Sequence, residues 1–148
     1  MRKIDLLDTT FIIPYFRDSV EREENLDCIL KFLDKNLKTK VIVVESGPVF
    51  SERPMHSHIY EWHHQNNDSG VFHRTKVINY GIKQATTPYV AIYDTDVVFE
   101  PENILKAVEL LRDGATLVYP YYGAFVNISR HYISTGVKLE HPSYVKDS

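Results

Sequence analysis

The sequence predicts an α/β fold built on a mainly parallel sheet, and three observations lead to it. Short apolar runs rich in β-branched residues alternate with stretches of helical periodicity along the chain. Polar clusters stand at the ends of three of those runs, where parallel sheets present ligand sites. The 148 residues, 43% hydrophobic and 25% charged, suit one soluble domain able to bury a working core.

Thr9-Thr10-Phe11-Ile12-Ile13 reads as a first buried strand, stopped by Pro14. From Ser19 to Asn36 the pattern is helical, with Leu26, Ile29, Leu30, Leu33 and Leu37 at three- and four-residue spacing. Ser19 is placed to cap this helix, with Arg22 where a capping box would carry Glu. Lys40 to Glu45 is a second buried strand, broken at Ser46-Gly47-Pro48. His58 to His63 is a third and weaker one, followed by a polar loop from Asn66 to Gly70. Arg74 to Gln84 reads as a helix with Val77, Ile78 and Ile82 on one face. Pro88 to Ile92 is a fourth strand, and Pro101 to Arg112 a helix. Its Pro suits the first turn and Gly114 a left-handed exit. Thr116 to Tyr119 is expected as a further strand.

Composition excludes several classes of function. A net charge of −3 and a pI near 6.1, without any Lys/Arg run, leave no electrostatic footprint for nucleic acid. One cysteine, Cys28, rules out a disulfide framework within the chain and fits a small core or boundary residue. No stretch is long and apolar enough for a signal peptide or a membrane span, so a cytoplasmic location is expected. Asn127-Ile128-Ser129 matches a glycosylation sequon but has no secretory context.

The chemistry concentrates in Asp94-Thr95-Asp96, directly after the fourth strand. Two carboxylates one residue apart repel each other at the edge of a core unless they share a cation. Hard ions such as Mn²⁺ or Mg²⁺ take oxygen ligands and keep positions open for substrate phosphates. The bland alternative is an Asp-rich turn that caps the next helix. In a parallel sheet, Pro14-Tyr15-Phe16-Arg17, Glu45-Ser46-Gly47 and Asp94-Thr95-Asp96 would all lie on one rim.

These segments resemble the nucleotide-sugar-binding half of a GT-A-fold glycosyltransferase, similar to family 2 and to the β-1,4-galactosyltransferases. Phe11 to Arg17 resembles the opening strand and its nucleotide-contacting loop. Val43-Val44-Glu45-Ser46-Gly47 matches the place of an acidic residue near base and ribose. Phe72-His73-Arg74-Thr75-Lys76 resembles a helix start whose Arg reaches the nucleotide, and Ala91 to Asp96 the metal-holding strand and D-x-D. The resemblance implies a Rossmann-like three-layer sandwich over residues 1–148, either a single nucleotide-sugar-binding domain or the N-terminal part of one. It implies a UDP-sugar donor, a carbohydrate acceptor and Mn²⁺ or Mg²⁺. Asp96 would ligate the metal directly, with Asp94 nearer the ribose or acting through water. Arg17, Arg74 and Lys76 would meet phosphate or base, Glu45 a ribose hydroxyl or base N–H, and Pro14 and Tyr15 or Phe16 the base.

Plainer readings accompany these roles. Arg17 can be a surface residue, Glu45 a turn cap, and Tyr119, Tyr121 and Tyr122 packing residues rather than sugar platforms. Asn79 and Gly81 fit helix geometry and packing. The His56/His58 and His63/His64 pairs lack partners at zinc spacing. The resemblance implies a longer stretch after the D-x-D with a Glu-Asp pair to supply the base, whereas only about fifty residues follow Asp96 and none of them forms that pair, so either the domain is truncated after its donor-binding half or the catalytic machinery is elsewhere. Glu140 and Asp147 would be the first residues to test as that base, and His131 and His141 are the candidates for a third ligand. A non-catalytic nucleotide-sugar-binding or assembly module is the alternative. A nucleotidyltransferase would need a glycine-rich phosphate loop that Pro14-Tyr15-Phe16-Arg17 does not provide.

Overall fold

A computed structural model describes residues 2–48 and 60–121. The His56/His58 pair, Tyr122, the Asn127 sequon, His131, Glu140, His141 and Asp147 lie outside them. The chain divides into two compact units, Met1–Val97 and Val98–Ser148.

The first unit carries four parallel strands: β1 (Ile4–Phe16), β2 (Leu37–Gly47), β3 (Tyr60–Asn66) and β4 (Tyr89–Ile92), in the order β3-β2-β1-β4. Helix α1 (Val20–Asn36) links β1 to β2, and α2 (Arg74–Gln84) precedes β4. This is the α/β, Rossmann-like architecture expected. Successive side chains of a strand point to opposite faces. On one face Ile12, Ile42 and Val44 pack with Val77 of α2, flanked by Phe72, Tyr80 and Ala85. Phe11, Ile13, Tyr15, Val41 and Val43 are buried on the other. Gly81 lets α2 approach closely, since a Cβ there would meet Ile12 Cγ2 at 2.5 Å.

Ser19 caps α1 as expected, its side chain accepting from the Arg22 N–H at 3.2 Å. Arg22 itself pairs with Asp18 at 2.9 Å, an alternative to the capping-box contact. Leu37 is both the C-cap of α1 and the first residue of β2, so helix passes into strand without a loop. Cys28 is half-buried, and burial pushes its thiol pKa up.

Two expectations are corrected. Pro14 does not end the first strand, which begins at Ile4 and continues to Phe16. The Ile12 carbonyl accepts from Tyr93 N–H on the β4 side at 3.0 Å. Two residues on, the Pro14 nitrogen faces that same side, past the last β1–β4 pair at Ile12 and Ile92, so no ladder bond is lost there. Within β1 the register with β2 slips between Leu6 and Thr10, and the Thr39 hydroxyl donates to the Thr9 carbonyl at 2.8 Å. The second correction is that residues 116–119 form no strand. Leu117 is 71% exposed, and the run has β-propensity without a paired backbone among the described residues.

In the second unit, α3 (Pro101–Arg112) has Pro at its first turn and buries Ile104, Ala107 and Val108. Gly114 follows at φ 104°, the left-handed exit expected. Among the described residues, no helix is long and apolar enough to cross a membrane.

Candidate functional site at the carboxyl rim

The strand order decides where a ligand fits. The chain winds outward from β1 to β2 and β3, then returns to the other flank of β1 with β4. The crevice at that reversal, outside the carboxyl ends of β1 and β4, is where open parallel sheets bind ligands. The last residues of β1, Pro14 to Phe16, overrun the end of β4 on one side of it, and Asp94-Thr95-Asp96 leaves β4 on the other. Thr95 is buried, which anchors the turn between two more exposed carboxylates.

Arg74 stands at the first position of α2 and reaches Asp94, with Nη2 at 2.6 Å from Oδ1. Both side chains are about half exposed. Asp96 is exposed, and its carboxylate has no hydrogen-bond or ion-pair partner among the described residues. Lys76 lies exposed in the first turn of α2. Arg17 is at the mouth of β1, paired with Glu23 of α1 at 3.0 Å.

Beneath the rim, Tyr15 and Glu45 are register partners on adjacent strands, each 1% exposed. The Trp62 indole N–H of β3 donates to Glu45 Oε2 at 3.0 Å, and the Tyr15 and Trp62 rings meet edge-on at 5.9 Å. Burial, then the nearby Glu23 carboxylate, pushes the Tyr15 phenol up to about 12. Tyr15 therefore stays protonated across the neutral range, and its ring is buried against Trp62. Phe16, at the end of β1, is less buried and stacks on Phe72 at 5.4 Å with planes 14° apart. His63 hydrogen-bonds Tyr80 and Glu61 at 3.2 Å each.

The structure adds residues that the sequence reading passed over. Asn67 Nδ2 donates to Ser46 Oγ at 3.1 Å and to the Val71 carbonyl at 2.6 Å. Its Oδ1 accepts from the Ser69 N–H and hydroxyl, so the loop entering α2 is tied to the end of β2. The Asn-Asp-Ser-Gly composition of residues 67–70 signals such a side-chain-built turn. Phe72 belongs to the Phe72 to Lys76 segment already singled out, but its stack on Phe16 leaves no local signal, because the partner is far away in sequence.

Among the described residues, no three His, Cys, Asp or Glu side chains converge on a metal position. Among the described residues the donor set is two carboxylates, Asp96 without a partner there and Asp94 engaged through one oxygen. That set fits an ion such as Mg²⁺, which uses one or two carboxylates and fills its shell with phosphate oxygens and water. It does not fit a closed all-protein site.

Among known families, the one described as "Glycosyl transferase family 2" matches residues 10–141. That span contains every rim residue described above. A search of curated proteins gave no match.

Proposed function

The chain belongs to glycosyl transferase family 2, and we propose that it is a metal-dependent domain transferring sugar from a UDP-sugar to a carbohydrate acceptor. Family membership carries glycosyl transfer in general. The observation supporting the finer reading is the D-x-D at the switch point, where Asp96 lacks a protein partner among the described residues. A buried or fully paired carboxylate would have argued for a structural turn.

Each rim residue then has a physical task. Asp96, with Asp94 beside it, would hold Mn²⁺ or Mg²⁺, which when bound supplies Lewis-acid stabilisation of the charge on the departing diphosphate. The Arg17–Glu23 pair is exposed on both sides, so it is weak and Arg17 can turn to a phosphate oxygen at little cost. Arg74 brings a planar fork with donors beyond the one used on Asp94. Lys76 adds a point charge along the same helix. The Phe16–Phe72 stack offers an apolar wall for the base, with Pro14 buried behind it. Tyr15 and Glu45, being buried, support the floor under that wall in this reading.

Titration calorimetry with UDP in Mn²⁺, and again with EDTA, tests the donor and metal together. Tight binding in Mn²⁺ that EDTA abolishes is the expected outcome, and equal affinities would remove the metal from the scheme. Release of UDP from UDP-sugars, with and without sugar acceptors, tests transfer itself.

A further inference from the structure

We propose that Arg74 acts as a charge gate on the D-x-D, making divalent-ion binding at Asp94 and Asp96 depend on the nucleotide diphosphate. This rests on the reading of those two residues as the metal-binding pair. The observation behind it is the 2.6 Å contact of Arg74 Nη2 with Asp94 Oδ1, beside an Asp96 that has no such partner among the described residues.

Two neighbouring carboxylates carry −2 and attract a divalent ion without help. With a guanidinium held against one of them the local charge falls to −1, and the ion meets a cation already in place. Metal alone is therefore bound weakly. A diphosphate reverses the balance, because its oxygens can accept from the remaining N–H groups of Arg74 and ligate the ion at once. Arg74 opposes the metal by itself and favours it with nucleotide. A residue that only braced the loop would weaken both, so the two signs separate gating from support.

The pair is half exposed and spans the first turn of α2 and the turn after β4, so its loss leaves the core untouched. It is a contact that adds little to folding. For an exposed unit charge at ion-pair distance from a divalent ion, the Coulomb energy in water with salt corresponds to about a three- to tenfold change in affinity.

The test uses the full chain with Mn²⁺ alone, UDP alone, and the two together, for the wild type, Arg74→Ala and Arg74→Lys. Arg74→Ala should bind Mn²⁺ alone about three- to tenfold more tightly and bind UDP in Mn²⁺ about tenfold or more weakly. Arg74→Lys keeps the charge, so its Mn²⁺ affinity should stay near that of the wild type while its UDP affinity recovers only in part. Unchanged or weaker Mn²⁺ binding by Arg74→Ala overturns the gate, as does unchanged UDP affinity, with the functional reading left standing. A wild type that fails to bind UDP in Mn²⁺ overturns that reading and the gate with it.

Discussion

Replacing Gly81 with Ala tests whether the approach of α2 to the sheet is as close as the site requires. An added Cβ would sit 2.5 Å from Ile12 Cγ2 and 3.2 Å from Val44 Cγ2. Ordinary carbon contacts begin near 3.5 Å, so Ile12 or the helix must move by about 1 Å. Ile12 cannot yield easily: it is β-branched, fully buried, and on a strand paired on both sides. Overpacking of this kind costs about 1–3 kcal/mol, and a contact this short belongs at the upper end. Ala gains about 1 kcal/mol over Gly in helix propensity, which leaves a net loss of about 2 kcal/mol. Urea unfolding monitored by far-UV circular dichroism should show a lower midpoint at unchanged slope. Displacement of α2 also moves Arg74, so UDP affinity should fall with stability. An equal or higher midpoint would mean that α2 stands off the sheet and that Gly81 does not set its position.

Asp96→Asn should weaken Mn²⁺-dependent UDP binding more than Asp94→Asn, by calorimetry. Unfolding stability should stay within about 0.5 kcal/mol, because Asp96 is exposed and has no partner to lose among the described residues. Trp62→Phe removes the indole donor to the buried Glu45 carboxylate and should cost about 1–3 kcal/mol in chemical denaturation. Tyr15 gives a pH signature: its pKa is near 10 unfolded and about 12 folded, so the unfolded chain releases its proton first. The stability it contributes is complete below pH 10 and is lost as pH rises toward 12, by up to about 3 kcal/mol, and Tyr15→Phe should flatten that decline.

Much of the fold was legible because burial writes a local pattern. The run Val41-Ile42-Val43-Val44 is apolar on both faces, as a central parallel strand must be. Ser19 and Gly114 mark helix ends through chemistry that acts within a few residues. Pro14 misled because its cost depends on whether a neighbouring strand needs its missing N–H, which only the sheet order reveals. Thr116 to Tyr119 misled for the converse reason, since propensity does not supply a pairing partner. At the site, the residue types at the D-x-D and the Arg74 helix start were readable. Their pairing was not, for Arg74 and Asp94 meet through the crossover of α2. The burial of Glu45 beneath Trp62 was equally hidden, because β3 supplies the indole.

The same crossover gives the rim its chemical asymmetry. Reversal of strand order leaves the Asp94–Asp96 turn beside the free end of β1, where the Ile12–Ile92 pair is the last between them. A longer β4 would place further backbone against Pro14, whose nitrogen cannot donate. The proline thus fits a sheet that opens at this level, and the opening is the crevice. On one wall stand the end of β1 and Arg17, and on the other the two carboxylates with Arg74 drawn against the first of them. Arg17 is held by Glu23 and Arg74 by Asp94, both in exposed pairs, and among the described residues Asp96 alone of the two rim carboxylates has no such partner. In the proposed reading a diphosphate would draw Arg17 and Arg74 from these exposed pairs while a divalent ion takes the carboxylates, so neither component alone would engage the whole rim. That is why titrations of metal, nucleotide and their mixture, rather than any one alone, discriminate between a donor site and an Asp-rich turn.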